Sequence, residues 1–184
     1  MQLDGAIQSR SSIKKFKDKK PDWRDIIECI DSTRFAPMAG NNFTPKFILV
    51  SDSEKIQKIG EASQQPFVSK AHYIVVVCSN PKNTLNAYGK QGEIWVRQQA
   101  GAAIQNFLLK IVEKKLATTW VGYFVERTIK QILKIPDEIQ VEAIFPIGYA
   151  YTKTKIKKQK IDLDEALYFE EYKNKKMKPI RKIE

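Results

Sequence analysis

Seven consecutive residues near the start of the chain, Arg10-Ser11-Ser12-Ile13-Lys14-Lys15-Phe16, gather a guanidinium, two hydroxyls, two ammoniums and a run of backbone N–H groups. A planar guanidinium fork matches phosphate oxygens in pairs, and hydroxyls add neutral donors beside it. The segment reads either as a phosphate cradle or as a basic stretch of solvated surface. Two other segments mix small residues with rings. Ala36-Pro37-Met38-Ala39-Gly40-Asn41-Asn42 follows a predicted helix, and Thr119-Trp120-Val121-Gly122-Tyr123-Phe124 follows the longest one. A glycine among aromatic residues lets backbone N–H groups come close to a flat ligand. Taken singly, the two segments read as a turn and a bulged strand.

Side chains for unaided catalysis are scarce. The one histidine, His72, precedes a buried strand and reads as a strand-start residue rather than a catalyst. No CxxC, P-loop or GxGxxG occurs, and the acidic residues form no notable pair. Cys29 and Cys78 lie far apart in apolar patterns, which predicts buried free thiols and a reducing, cytoplasmic setting. Without an acid, base and nucleophile set, the chemistry is expected to be carried by a cofactor. The net charge of +11, from 32 Lys and Arg against 21 Asp and Glu, suits anionic partners of several kinds. The excess is not interleaved with aromatics as in a nucleic-acid module, so nucleic acid is not the expected partner. No apolar run nears the roughly 18 residues of a membrane span, so no membrane partner is expected either.

Stepwise spacing predicts the elements that position these segments. Residues 3–9 form a short helix. Asp22 caps a second helix running from Trp23 to Phe35, with apolar residues at Trp23, Ile26, Ile27 and Ile30. A loop covers residues 36–45, and Phe47–Val50 is a strand. A helix opens at Ser53 and ends near Gly60. Tyr73–Cys78 is a buried strand. The short stretch Asn80–Gly92 is expected to cover the site. The long helix Glu93–Lys115 is apolar nearly all round between Ala100 and Leu109, so it belongs in a core or against another subunit. Thr118–Phe124 reads as a strand or strand end interrupted by Gly122, and Glu126–Leu133 as a helix stopped before Pro136. Val141–Tyr149 is a strand whose Pro146 favours an edge or a bulge. Asp162–Tyr172 is a last amphipathic segment. One domain is expected over residues 1–184, with a basic extension over residues 151–184.

Five landmarks, in this order, resemble the nitroreductase family over about residues 7–170. They are Arg10 to Phe16; Ala36-Pro37-Met38-Ala39-Gly40-Asn41; Ala102-Ala103-Ile104-Gln105-Asn106-Phe107-Leu108-Leu109; Trp120 to Phe124; and Ile135-Pro136 followed by Pro146-Ile147-Gly148-Tyr149. The resemblance implies an α+β fold: a three-layer α/β/α sandwich with a central, mostly antiparallel sheet, in an intertwined homodimer. It implies FMN at the dimer interface. Arg10, Ser11 and Ser12 would hold the phosphate, with Lys158 and Lys160 of the basic extension, which would reach the partner subunit. Lys14 would lie near the N1/O2 edge of the flavin, and Gly122, beside Val121, would offer its N–H near N5. Pro37, Met38 and Ala39, with Asn41, would pack on the isoalloxazine from the partner. Gln64 would touch the ribityl chain or the pyrimidine.

The implied activity is a ping-pong transfer of hydride from NAD(P)H, through the flavin, to a nitroaromatic or quinone. Relatives on the same scaffold carry out dehydrogenation, dehalogenation or flavin fragmentation, and these remain alternatives, as does a non-enzymatic basic binding module. Three departures from the family pattern bear on this. Ser11 stands where the family has Arg or His, Met38 where it has serine, and Phe43-Thr44-Pro45 where it has Gln-Pro-Trp.

Overall fold

One strand organises the molecule. The computed structural model describes residues 2–151 and 161–177, and the chain parts into two compact units, Met1–Lys153 and Thr154–Glu184. In the first unit, β2 (Tyr73–Ser79) is buried along its whole length. It lies between β1 (Pro45–Val50) and β3 (Gln140–Ile147) in the order β1-β2-β3, antiparallel to both. Its side chains alternate between two cores, as a pleated strand apolar on both faces requires. Tyr73, Val75 and Val77 join Ile26, Cys29, Ile104, Phe107 and Phe145. Ile74, Val76 and Cys78 join Ile56, Ile59, Ile129 and Ile144.

Helices supply the outer layers. The first core takes α2 (Trp23–Asp31) and α5 (Gln91–Glu113), the second α3 (Ser53–Ala62) and α6 (Glu126–Leu133). The expected three-layer α+β sandwich with an antiparallel sheet is what forms. Asp22 caps α2 as expected, accepting from Arg24 N–H at 2.9 Å. α6 spans the predicted residues and ends on Lys134 in the left-handed conformation. α1 (Leu3–Ser9) also matches its expected range.

β3 is an edge strand, one of the two outcomes that Pro146 favours. Beyond it, among the described residues, lie only isolated bridges: Ile144 exchanges both backbone bonds with Val121, and Gly148 with Ala117. Pro146 has the same parity and sits midway between them. Its missing N–H therefore falls on the irregular side, where no ladder is interrupted.

Three expectations need correction. Thr118–Phe124 is not a strand; only Val121 in it pairs, because the chain runs past β3 rather than along it. Gly60 does not end α3, which continues to Ala62. Glycine is needed there because a Cβ would collide with Ser69 Oγ. The second helix becomes a 3-10 turn over Ser32–Phe35, where Thr33 Oγ1 donates to Ile30 O at 2.6 Å. Residues 80–92 carry α4 (Lys82–Tyr88), packed on α5. Among the described residues of the second unit, helix is confined to α7 (Leu163–Ala166), capped by Asp162.

Both cysteines are buried and free. Burial pushes each thiol up from 9.0 to about 12, against smaller opposing fields from Lys114 at Cys29 and Lys130 at Cys78. A raised thiol pKa keeps the folded state protonated where the unfolded chain ionises. Stability from these groups is therefore complete below pH 9.0 and is lost as pH climbs towards about 12. At pH 8 a thiol-specific chromogenic reagent should leave the native protein unlabelled and titrate two thiols after denaturation. Rapid labelling without denaturant would contradict the burial.

Candidate active site

Three backbone hydrogen bonds lay the segment after α1 against the rim of the sheet. Ile13 N–H donates to Thr118 O at 2.9 Å, Lys17 N–H to Tyr149 O at 2.8 Å, and Tyr151 N–H to Lys15 O at 3.0 Å. The Phe16 ring then lies on Gly148, where a Cβ would come within 2.8 Å of two ring carbons. These constraints hold the stretch of backbone that carries Arg10, Ser11, Ser12 and Lys14, a row of donors along the chain. Among the described residues no carboxylate pairs with Arg10 or Lys14, and neither serine hydroxyl is engaged. Thr118 Oγ1, beneath the row, is buried with no hydrogen-bond partner.

The row meets two other segments. Lys14 Nζ lies 5.2 Å from the centre of the Phe67 ring. Phe67 belongs to the turn after α3, in which Gln64 takes a positive φ of 54°. The end of α3, where that turn begins, is tied to the 121–125 segment by Val125 N–H donating to Ala62 O at 2.9 Å. Val121 is buried and held by Ile144, so Gly122 emerges at the surface. Its N–H has no acceptor among the described residues. Arg10, Ser11, Ser12, Lys14, Gln64, Val121 and Gly122 thus fall on adjoining segments, from three separate stretches of chain.

Pro37, Met38 and Ala39 are gathered elsewhere. They line a cavity of about 380 Å³ with Trp95, Gln98, Gln99 and Ala102 of α5. No residue of the first group lines it. Asn41 follows Gly40, both with positive φ, and is exposed. Lys158 and Lys160 lie outside the described residues. His72 Nε2 is 3.7 Å from the Asp18 carboxylate, at the start of β2 as expected of a strand-start residue.

The family sequence profile of the nitroreductases matches residues 7–68 and 61–149. The chain belongs to the nitroreductase family. It is thereby an oxidoreductase of that family. A putative NADH dehydrogenase/NAD(P)H nitroreductase of Archaeoglobus fulgidus is 30% identical over 148 residues, covering 78% of this chain and 82% of that protein. The crystal structure of a nitroreductase family protein from Clostridium novyi NT superposes with a TM-score of 0.75 at 27% identity, over 95% of this chain and 96% of the other. An iodotyrosine deiodinase, solved with FMN and 3-iodo-L-tyrosine, shares the fold with a TM-score of 0.76 at 20% identity, over 88% and 97% of the two chains.

This family member carries site-shaping residues that its motifs do not announce. Gln99 is buried in α5 and holds the 42–44 loop: its Oε1 accepts from Thr44 N–H at 2.6 Å and from Thr44 Oγ1 at 2.7 Å, while Nε2 donates to Asn42 O at 3.0 Å. The available signal was only that any of the five amides of α5, Gln91, Gln98, Gln99, Gln105 and Asn106, must find partners if it faces the core. Phe67 beneath Lys14, and Tyr88 resting on Gly40, had no such signal. Both depend on contacts between distant segments.

Proposed function

We propose that this nitroreductase-family chain is an FMN-dependent reductase, working as an intertwined homodimer, that takes hydride from NAD(P)H and delivers it to a nitroaromatic or quinone. The observation that carries this reading is the free donor row of Arg10, Ser11, Ser12 and Lys14 beside the unengaged Gly122 N–H. A phosphate carrying about −1.5 to −2 charge needs such a set of cationic and neutral donors without a competing carboxylate. The residues present fit the group. FMN, when bound, supplies reversible hydride acceptance, so that donor and acceptor use one site in turn. Arg10, Ser11 and Ser12 would hold its phosphate. Lys14 would place positive charge at the N1/O2 edge, and Gly122 a hydrogen-bond donor at N5. Lys158 and Lys160 would add to the phosphate site, and Gln64 to the ribityl or pyrimidine contacts.

Two features support the homodimer. Pro37, Met38 and Ala39 line a cavity that none of the donor row lines, so a second subunit would bring the two half-sites together. Along α5, Ile94 is half exposed and a Cβ on Gly101 would meet nothing within 4 Å. That strip leaves room for a second helix to approach. Among the described residues no helix is long and apolar enough to cross a membrane. The two free thiols suit a cytoplasmic setting.

The test is direct. Purified protein mixed with FMN and desalted should hold near one flavin per subunit, and anaerobic NADPH or NADH should bleach it. Protein that holds no flavin would overturn the proposal. The shared fold of the deiodinase makes reductive dehalogenation the second reading. Anaerobic release of halide from a halogenated phenol, without turnover of quinones, would favour it.

A further inference from the structure

We propose that Tyr88 is a removable cover on the acceptor side of the pocket, and that it sets the size of the flat acceptor admitted. The inference rests on the flavin reading above and names what limits the substrate at that site. The cavity beside Pro37, Met38 and Ala39 holds about 380 Å³, within the common range of roughly 300 to 1,000 Å³ for small-molecule sites. Tyr88 is outside its lining but rests on two residues at its border. The ring lies on Gly40, where a Cβ would collide with the phenol oxygen and come within 3.2 Å of two ring carbons. It also meets the lining residue Trp95 edge-on, with centroids 4.7 Å apart and planes at 73°.

The mounting of this ring differs at its two ends. At its base, α4 is locked to α5, because Gly92 abuts the Thr84 backbone so closely that a Cβ would lie 2.8 Å from Thr84 O. At its tip, Tyr88 is followed at once by Gly89, with φ 56° and ψ −144°, a conformation that only glycine adopts readily. No atom would lie within 4 Å of a Cβ there. Tyr88 is 39% exposed, and its hydroxyl makes no hydrogen bond among the described residues. A ring held by two van der Waals faces, without a polar tether and beside an unpacked glycine, can swing away with little loss. A single-ring acceptor would enter beneath it, whereas a two-ring acceptor would require the ring to leave Gly40.

The experiment compares kcat/KM for a one-ring and a two-ring quinone in the FMN-loaded protein, in wild type, Tyr88→Ala and Tyr88→Phe. FMN affinity and the rate of anaerobic flavin bleaching by NADPH are measured in the same preparations. Tyr88→Ala should raise the two-ring to one-ring ratio about 10-fold, the lower end of what one displaced apolar contact contributes to selectivity. Tyr88→Phe should keep the wild-type ratio, because ring bulk and not the hydroxyl is at work. A ratio in Tyr88→Ala within twofold of wild type would overturn the inference and leave the flavin reading intact. Loss of FMN by Tyr88→Ala would also overturn it, by placing the ring in the cofactor site. If wild type itself holds no FMN, the flavin reading fails first.

Discussion

Replacing Phe145 by Ala is expected to lower folding stability by about 3–5 kcal/mol, the range for truncating a buried aromatic. Phe145 is fully buried on β3 and meets two rings edge-on: Phe107 of α5 with centroids 5.4 Å apart, and Trp120 at 5.6 Å. The void would open between sheet and helix, where Val75, Ile104 and Ile111 are already packed and have little freedom to fill it. A loss of this size is a large fraction of the ~5–15 kcal/mol that a domain has. Phe145→Leu keeps most of the volume and should cost less than about 1.5 kcal/mol. Urea unfolding followed by tryptophan fluorescence measures both. If the two variants unfold at the same midpoint, the cluster does not carry the fold. The consequence reaches the site as well, because Trp120 leads directly into Val121 and Gly122. A loosened Trp120 should weaken FMN binding even at temperatures where Phe145→Ala remains folded.

Replacing Arg10 by Ala should weaken FMN binding about 10- to 150-fold, the equivalent of the ~1.5–3 kcal/mol of a hydrogen bond to a charged group. The guanidinium follows α1 in a half-buried position and has no carboxylate partner among the described residues. Its removal therefore leaves no stranded acid, and the effect on folding should be small. Arg10→Lys should recover part of the affinity, since a point charge replaces a bidentate fork. Quenching of flavin fluorescence in a titration gives the three constants. Wild-type affinity in Arg10→Ala would remove the phosphate role from this row. Raising the salt concentration should narrow the gap between the variants, because the contact is partly exposed and screened.

The sequence by itself was sufficient for features written in short-range pattern. The continuous β-branched run of β2, the cap at Asp22, the limits of α6 and the edge-or-bulge preference of Pro146 are all local consequences of residue type. The family motifs were equally legible, because each is a contiguous string whose order survives whatever lies between. Features that needed the tertiary structure arise where one segment's conformation answers to another. Gly60 looked like a helix stop and proved to be a point of close packing against Ser69. Thr118–Phe124 looked like a strand and became a path across the rim of β3, because the 10–17 segment takes the bond from Thr118 that a strand neighbour would take. The donor row of Arg10, Ser11, Ser12 and Lys14 was visible as composition. Its freedom from carboxylates, its contact with Phe67 and its separation from the Met38 cavity were not. Residue type and spacing set what a segment is able to do, whereas vacancy and neighbourhood belong to long-range packing, which no window of sequence contains.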